Sequence, residues 1–180
     1  MSLRCLIAGG GIGGLALAAG LLREGFEPLV LEQAPSLQPV GAGVNLTPNA
    51  MKALTWLGVD KHVRQSGVAG DGFLGVDLES GEEIFSHPMT GQAEAEYGDK
   101  LISTYRPDLV EALMARLSPA HIRLGSAVSD IRQDDTSVRA RLASGEEISG
   151  DVLIGADGLN SAVRTELFGA LEPRFTGYAA

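Results

Sequence analysis

The hydrophobic pattern changes period twice within the first 32 residues. Arg4-Cys5-Leu6-Ile7-Ala8 is a short apolar run of strand length, and Leu15 to Glu24 repeats at helical spacing. Pro28-Leu29-Val30-Leu31 is a second apolar run, ending on Glu32. Gly9-Gly10-Gly11-Ile12-Gly13-Gly14 separates the first run from the helical segment, and Gly25 stops that segment. The pattern predicts strand, glycine turn, helix and strand, which is a βαβ unit.

Further along, Thr47 and Pro48 read as N-cap and N1 of a helix running to about Leu57, with Gly58 past its end. Ahead of it, in Val40 to Asn49, the pair Gly41 and Gly43 lets the backbone approach something closely. Phe73 to Pro88 alternates around Ser80-Gly81 and predicts a β-hairpin. Residues 90–100 are polar, acidic and without period, so a loop is expected there. Leu101 to Tyr105 predicts a strand, and Arg106-Pro107-Asp108 opens a helix through Leu117 that Ser118-Pro119 stops.

Short strands follow near 121–124, 127–133, 137–142 and 147–149. A buried strand, Val152 to Ile154, then runs into Gly155-Ala156-Asp157-Gly158. Asn160 or Ser161 caps a helix to about Phe168, and residues 175–180 read as the start of another strand. Ser-Gly-Glu-Glu-Ile occurs at 80–84 and again at 144–148; the flanks differ, so it marks two hairpin turns and no repeat.

The glycine turn carries the first chemistry. Its G-x-G-x-x-G spacing follows a strand, opens a helix, and is answered by an acid at the tip of the next strand. Gly9 turns the chain, Gly11 lets a pyrophosphate approach the backbone, and Gly14 lets helix and sheet pack closely. The N–H groups and dipole of the helix N-terminus would face the phosphates. Glu32 would accept from adenosine ribose hydroxyls, which favours FAD or NAD over NADP in this cleft.

Composition narrows the rest. A net charge of −9 argues against nucleic acid or an anionic membrane as partner. The single cysteine, Cys5, excludes an intrachain disulfide and fits a reducing cytoplasm. His62, His87 and His121 share no ligand spacing, so no metal is expected. Five glycines in the six residues from Gly9 break any signal-peptide helix, and no apolar stretch is long enough to span a bilayer.

Taken in order, the glycine turn ending on Glu32, Gly41-Ala42-Gly43-Val44-Asn45-Leu46-Thr47-Pro48-Asn49, Arg106 heading a helix, and strand-Gly155-Ala156-Asp157-Gly158 form a set. That set resembles the single-component FAD-dependent aromatic hydroxylases, most closely their salicylate-hydroxylase-like branch. The resemblance covers nearly the whole chain. It implies an α/β fold: a Rossmann-like FAD-binding domain of glutathione-reductase type with part of an inserted β-sheet substrate domain. The implied organisation is FAD-binding βαβ and helices at 1–70, the first piece of the insert at 71–100, the FAD domain continued at 101–170, and the start of a substrate-domain strand at 171–180.

The resemblance also implies roles. Gly9, Gly11 and Gly14 cradle the FAD pyrophosphate, Glu32 holds the adenosine ribose, and Arg106 reaches the pyrophosphate side. Val128 lies by the adenine. Asp157 serves FAD and the NADH or NADPH that visits as reductant. Gly43, Val44 and Asn45 run beside the flavin, with Asn45 placed to see both ring and substrate. The implied reaction is hydroxylation of a small phenolic aromatic by O2 through a flavin C4a-hydroperoxide. No catalytic base is identified.

Other flavoprotein chemistries on the same scaffold (epoxidase, halogenase, reductase) and a non-catalytic dinucleotide-binding fragment remain open readings. The family's second motif, Gly-Asp opening a helix after a strand, is not matched by Gly70-Asp71, Gly98-Asp99 or Gly150-Asp151. These 180 residues alone are therefore expected to bind FAD weakly, to lack coupled hydroxylation, and to self-associate, as a homodimer or further.

Overall fold

The computed structural model describes residues 2–37, 41–88, 91–170 and 174–177. In chain order, β1 (Arg4–Ala8), α1 (Ile12–Arg23) and β2 (Glu27–Leu31) form the expected βαβ unit. β3 (Gly43–Leu46), α2 (Pro48–Leu57), α3 (Asp60–Ser66) and β4 (Val68–Ala69) follow. Then come the hairpin strands β5 (Gly72–Val76) and β6 (Glu83–Pro88), α4 (Gln92–Tyr97), β7 (Ile102–Tyr105) and α5 (Arg106–Met114). A 3₁₀ turn (Pro119–His121) leads to β8 (Ile122–Arg123), β9 (Val128–Gln133), β10 (Val138–Leu142), β11 (Glu147–Gly150), β12 (Val152–Gly155) and α6 (Ala162–Phe168).

The chain divides into two compact units, residues 1–37 with 113–180, and residues 38–112. In the first, a parallel sheet runs in the order β12-β1-β2-β8. One face packs Ile7 and Val30 against Ala18 of α1. The other packs Leu6 and Leu31 against Ala140, Leu142 and Ile148 of the antiparallel β11-β10-β9 meander. Cover on both faces explains why Cys5 to Ala8 is uninterruptedly apolar. Burial pushes the Cys5 thiol up, and the charge of Asp151 adds to it, so the sulfur is a core group and no nucleophile.

In the second unit, β3-β7-β4 form an antiparallel sheet. Met51 and Leu54 of α2, Val63 of α3 and Ile102 of β7 are buried. The β5–β6 hairpin pairs Gly72 with Pro88 through to Val76 with Glu83. Among the described residues, no helix is long and apolar enough to cross a membrane.

Several expectations need correcting. Residues 92–97 are helical, closed at each end by a positive-φ glycine, Gly91 and Gly98. Six residues are too few to show a helical period, though Gln, Ala and Glu favour helix. α3 had no polar cap to announce it, because its N-cap is Val59. α5 ends at Met114, three residues short of Leu117, in tight turns where Arg116 N–H donates to Leu113 O and Leu117 N–H to Met114 O.

Val152 is 42% exposed and its neighbours only half-buried, because β12 is an edge strand. Residues 174–177 carry no strand; 171–173 and 178–180, with Val40, lie outside the described residues.

Candidate functional site

The three motif glycines separate physically. A Cβ on Gly9, whose φ is +105°, would fall 2.3 Å from the carbonyl oxygen of Ala156. One on Gly14 would fall 1.9 Å from the carbonyl oxygen of Gly9. Both positions are closed by the fold itself. A Cβ on Gly11 would meet nothing within 4 Å. Gly11 is the N-cap of α1, and no side chain caps that end of the helix. An open, positive helix terminus with room above its first glycine is a ready anion site.

The walls come from three strand ends. Gly9, Gly11, Glu32, Val128, Asp157 and Asn160 are among the residues around a cavity of about 320 Å³ in the first unit. Glu32 is fixed from several sides. Its Oε2 accepts Gly10 N–H at 2.5 Å and its Oε1 accepts Ala34 N–H at 2.8 Å. Its own N–H donates to Arg123 O, and its carbonyl accepts Ser126 N–H. A carboxylate has about four acceptor sites, so capacity remains for a ribose hydroxyl.

Asp157 closes the opposite wall. Its Oδ1 accepts from Ser161 Oγ at 2.5 Å, and its Oδ2 from Ala162 N–H at 2.7 Å and Val163 N–H at 3.2 Å. Ser161 in turn accepts Arg164 N–H at 2.9 Å as the N-cap of α6. The carboxylate therefore holds the Gly158–Asn160 turn in place at the cavity rim. Gln33 and Ala127 also line the cavity and were not singled out from the sequence, and Asn160, read there only as a candidate helix cap, lines it too. For Asn160 the signal was available, since it follows Asp157-Gly158 directly while Ser161 takes the cap.

Gly43, Val44, Asn45 and Arg106 belong to the second unit. β3 and β7 pair Gly43 with Tyr105, Val44 with Thr104 and Asn45 with Ser103. Ser103 Oγ donates to Asn45 Oδ1 at 2.7 Å. Arg106 opens α5 and donates its N–H to Ala42 O at 3.1 Å. The glycine pair splits as well. A Cβ on Gly41 would lie 3.0 Å from Arg106 Cδ, whereas one on Gly43 would meet only Thr104 O, at 3.8 Å. Gly41 makes room for the arginine stem; nothing in its own surroundings demands that Gly43 be glycine.

Among the described residues, no group of His, Cys, Asp and Glu is placed to hold a metal ion. The open backbone at Gly11, the fixed acceptor Glu32 and the cavity between them fit the pyrophosphate and adenosine of FAD.

Residues 2–174 match the family described as FAD binding domain. The chain is 42% identical over 180 residues to the aurachin C monooxygenase/isomerase of Stigmatella aurantiaca, covering 99% of this chain and 46% of the relative. It is 41% identical over 177 residues to 3-hydroxybenzoate 6-hydroxylase 1 of Aquipseudomonas alcaligenes, covering 96% and 45%. Among solved structures, Klebsiella pneumoniae HpxO complexed with FAD and uric acid superposes with a TM-score of 0.83 at 25% identity, over 91% of this chain and 41% of that one. The chain thus spans less than half the length of these relatives.

Proposed function

The chain belongs to the FAD-binding-domain family, and on that premise we propose that it is the FAD-holding part of a monooxygenase that hydroxylates a small phenolic or hydroxylated heteroaromatic ring. The carrying observation is the unfilled space over Gly11 at an uncapped helix N-terminus, beside the fixed carboxylate of Glu32. Relatives named for hydroxybenzoate and hydroxynicotinate supply the substrate class.

In this reading Gly11 and the α1 N-terminus bind the pyrophosphate, with Gly9 and Gly14 shaping the turn beneath it. Glu32 accepts from the ribose and Val128 borders the adenine. Asp157 keeps the Gly158–Asn160 wall in position. Arg106 offsets phosphate charge, and Gly43, Val44 and Asn45 present backbone and one amide to the ring system. FAD, reduced by NADH or NADPH, supplies the activation of O2. The protein's own share is binding, orientation and exclusion of water. The lone buried cysteine suits a reducing cytoplasm. The stretch 71–100 is read as the first piece of a substrate-domain sheet, and self-association through it as the route to a homodimer.

Titration with FAD tests the reading directly. Quenching of flavin fluorescence by the parent and its loss in Gly11→Val, with folding unchanged, is the expected result. Equal FAD binding by both would overturn the phosphate assignment. Hydroxylated product formed per NADH or NADPH consumed, with hydroxybenzoates as substrates, tests the activity of the whole protein.

A further inference from the structure

The cavity wall that carries Ala127 and Val128 follows the shortest strand of the parallel sheet. β8 is two residues long and lies at the sheet edge, pairing with β2 at Val30–Ile122 and Leu31–Arg123. So short a strand offers few ladder bonds, and the segment after it needs other anchors to keep a fixed shape.

Two sets of bonds supply them. Toward β2, Glu32 N–H donates to Arg123 O at 2.9 Å, Ser126 N–H to Glu32 O at 2.7 Å and Gly125 N–H to Ala34 O at 2.9 Å. Toward the β10–β11 turn, Ala143 N–H donates to Ala127 O at 2.8 Å. The Arg123 guanidinium also reaches that turn, donating from both Nη atoms to the two carboxylate oxygens of Glu146. Glu146 is held in its turn, since its carbonyl accepts Leu142 N–H at 2.8 Å.

Arg123 belongs to both sets. Its carbonyl takes the Glu32 N–H, and its side chain grips the turn that also holds Ala127. Both members of the pair are half-exposed, where an ion pair adds little to folding. A planar two-bond fork fixes orientation, however, which a single contact does not. The fork keeps the Glu146 carboxyl below the usual carboxylate range, so the link stays ionised at neutral pH.

We propose that Arg123 and Glu146 form a latch that positions Glu32 and the Ala127–Val128 wall for the adenosine end of FAD, with Arg123 as the positioning residue. The inference rests on the FAD reading above and adds to it two residues that do not line the cavity. An exposed ionic latch is screened by salt, so the fit of this wall to a nucleotide depends on ionic strength.

FAD and, separately, ADP are titrated into the parent, Arg123→Ala, Glu146→Ala and the double variant, at low and at high salt. ADP carries adenosine and pyrophosphate without flavin, so it should lose as much affinity as FAD does. Each single variant should weaken both probes by about two- to fivefold at low salt. The double variant should lose no more than either single one, because removing one partner already opens the latch. At high salt the parent should approach the variants.

Equal affinities in all four proteins, or losses that add in the double variant, overturn the proposal and leave the FAD reading standing. So does a lowered thermal midpoint with FAD and ADP affinity unchanged, which would make the pair purely structural. A parent that binds neither FAD nor ADP overturns both.

Discussion

Glu32 accepts the backbone N–H of Gly10 at 2.5 Å, so the tip of β2 is tied to the turn that leaves β1. A Cβ on Gly10 would come within 2.9 Å of the Glu32 side chain, which shows how closely the two strand ends pack. The carboxylate is thus both a brace for the glycine turn and the acceptor assigned to the ribose. Glu32→Gln keeps one oxygen for Gly10 N–H and loses the charge. FAD affinity should fall by about tenfold, the loss of one hydrogen bond to a charged acceptor. Glu32→Ala removes the brace too and should cost more affinity and some stability. Equal titration curves for parent and Glu32→Gln would leave Glu32 with the brace alone.

The glycines make a sharper test, because geometry separates their duties. Gly11→Val adds atoms into open space and should leave thermal unfolding unchanged while eliminating FAD retention. Gly14→Ala drives a methyl into Gly9 O, and should lower stability before any question of binding arises. If Gly11→Val unfolds the protein, or Gly14→Ala is tolerated, the division of labour is wrong.

Much of this was legible in the chain. The turn, the cap at Thr47-Pro48, the left-handed Gly58, and the strands from β7 onward follow from local patterns whose physics is local. α3 and α4 were not legible, since seven and six residues give less than two full turns of period and neither has a polar side-chain cap. For the cavity wall, motif and spacing pointed to Gly9, Gly11 and Glu32, whose neighbours in sequence announce them, while Asp157 and Val128 came from the family resemblance. Gln33 and Ala127 carry no such signal, because their place at the cavity depends on the pairing of β2 with β8. Nor could spacing tell that Ser103 stands opposite Asn45, 58 residues away.

Arg106 provides a test that depends on charge. A cation at the first position of a helix opposes the dipole, and an anion nearby would relieve that. Arg106→Ala should raise the FAD dissociation constant by about tenfold and flatten its dependence on salt, since one cation–phosphate attraction is gone. Parallel salt plots for parent and variant would return Arg106 to a structural role at the α5 terminus.

The Arg64–Asp99 pair sets a pH dependence in the second unit. Arg64 Nη2 donates to Asp99 Oδ2 at 2.6 Å, and this bond holds the Asp99 carboxyl below the usual carboxylate range. A depressed native pKa means the stabilisation is present above the unfolded value, about 3.9, and is lost as pH falls through the native one. Asp99→Asn should therefore lower stability by about 1 kcal/mol at neutral pH. The gap to the parent should narrow as pH falls below the unfolded value and through the depressed native one. Urea unfolding at both ends of that range checks it; a gap that does not change with pH would mean the pair contributes through shape alone.

The β5–β6 hairpin supplies the last test. Phe85 lies across Gly75, where a Cβ would fall 2.1 Å from a ring carbon, and the residue is still 56% exposed. Leu74, paired with Ser86, is 63% exposed, and Ile84, where the register shifts, is 68% exposed. A two-stranded hairpin is marginal alone, and apolar residues on its open face favour association. The parent should elute from gel filtration at volumes that decrease as concentration rises. Leu74→Lys with Ile84→Lys should hold the chain at its monomer volume, because like charges then meet wherever two hairpins approach. FAD binding should not change, since neither substituted residue is among those assigned to FAD. Concentration-independent elution of the parent, or association that survives the double substitution, would place self-association elsewhere on the chain.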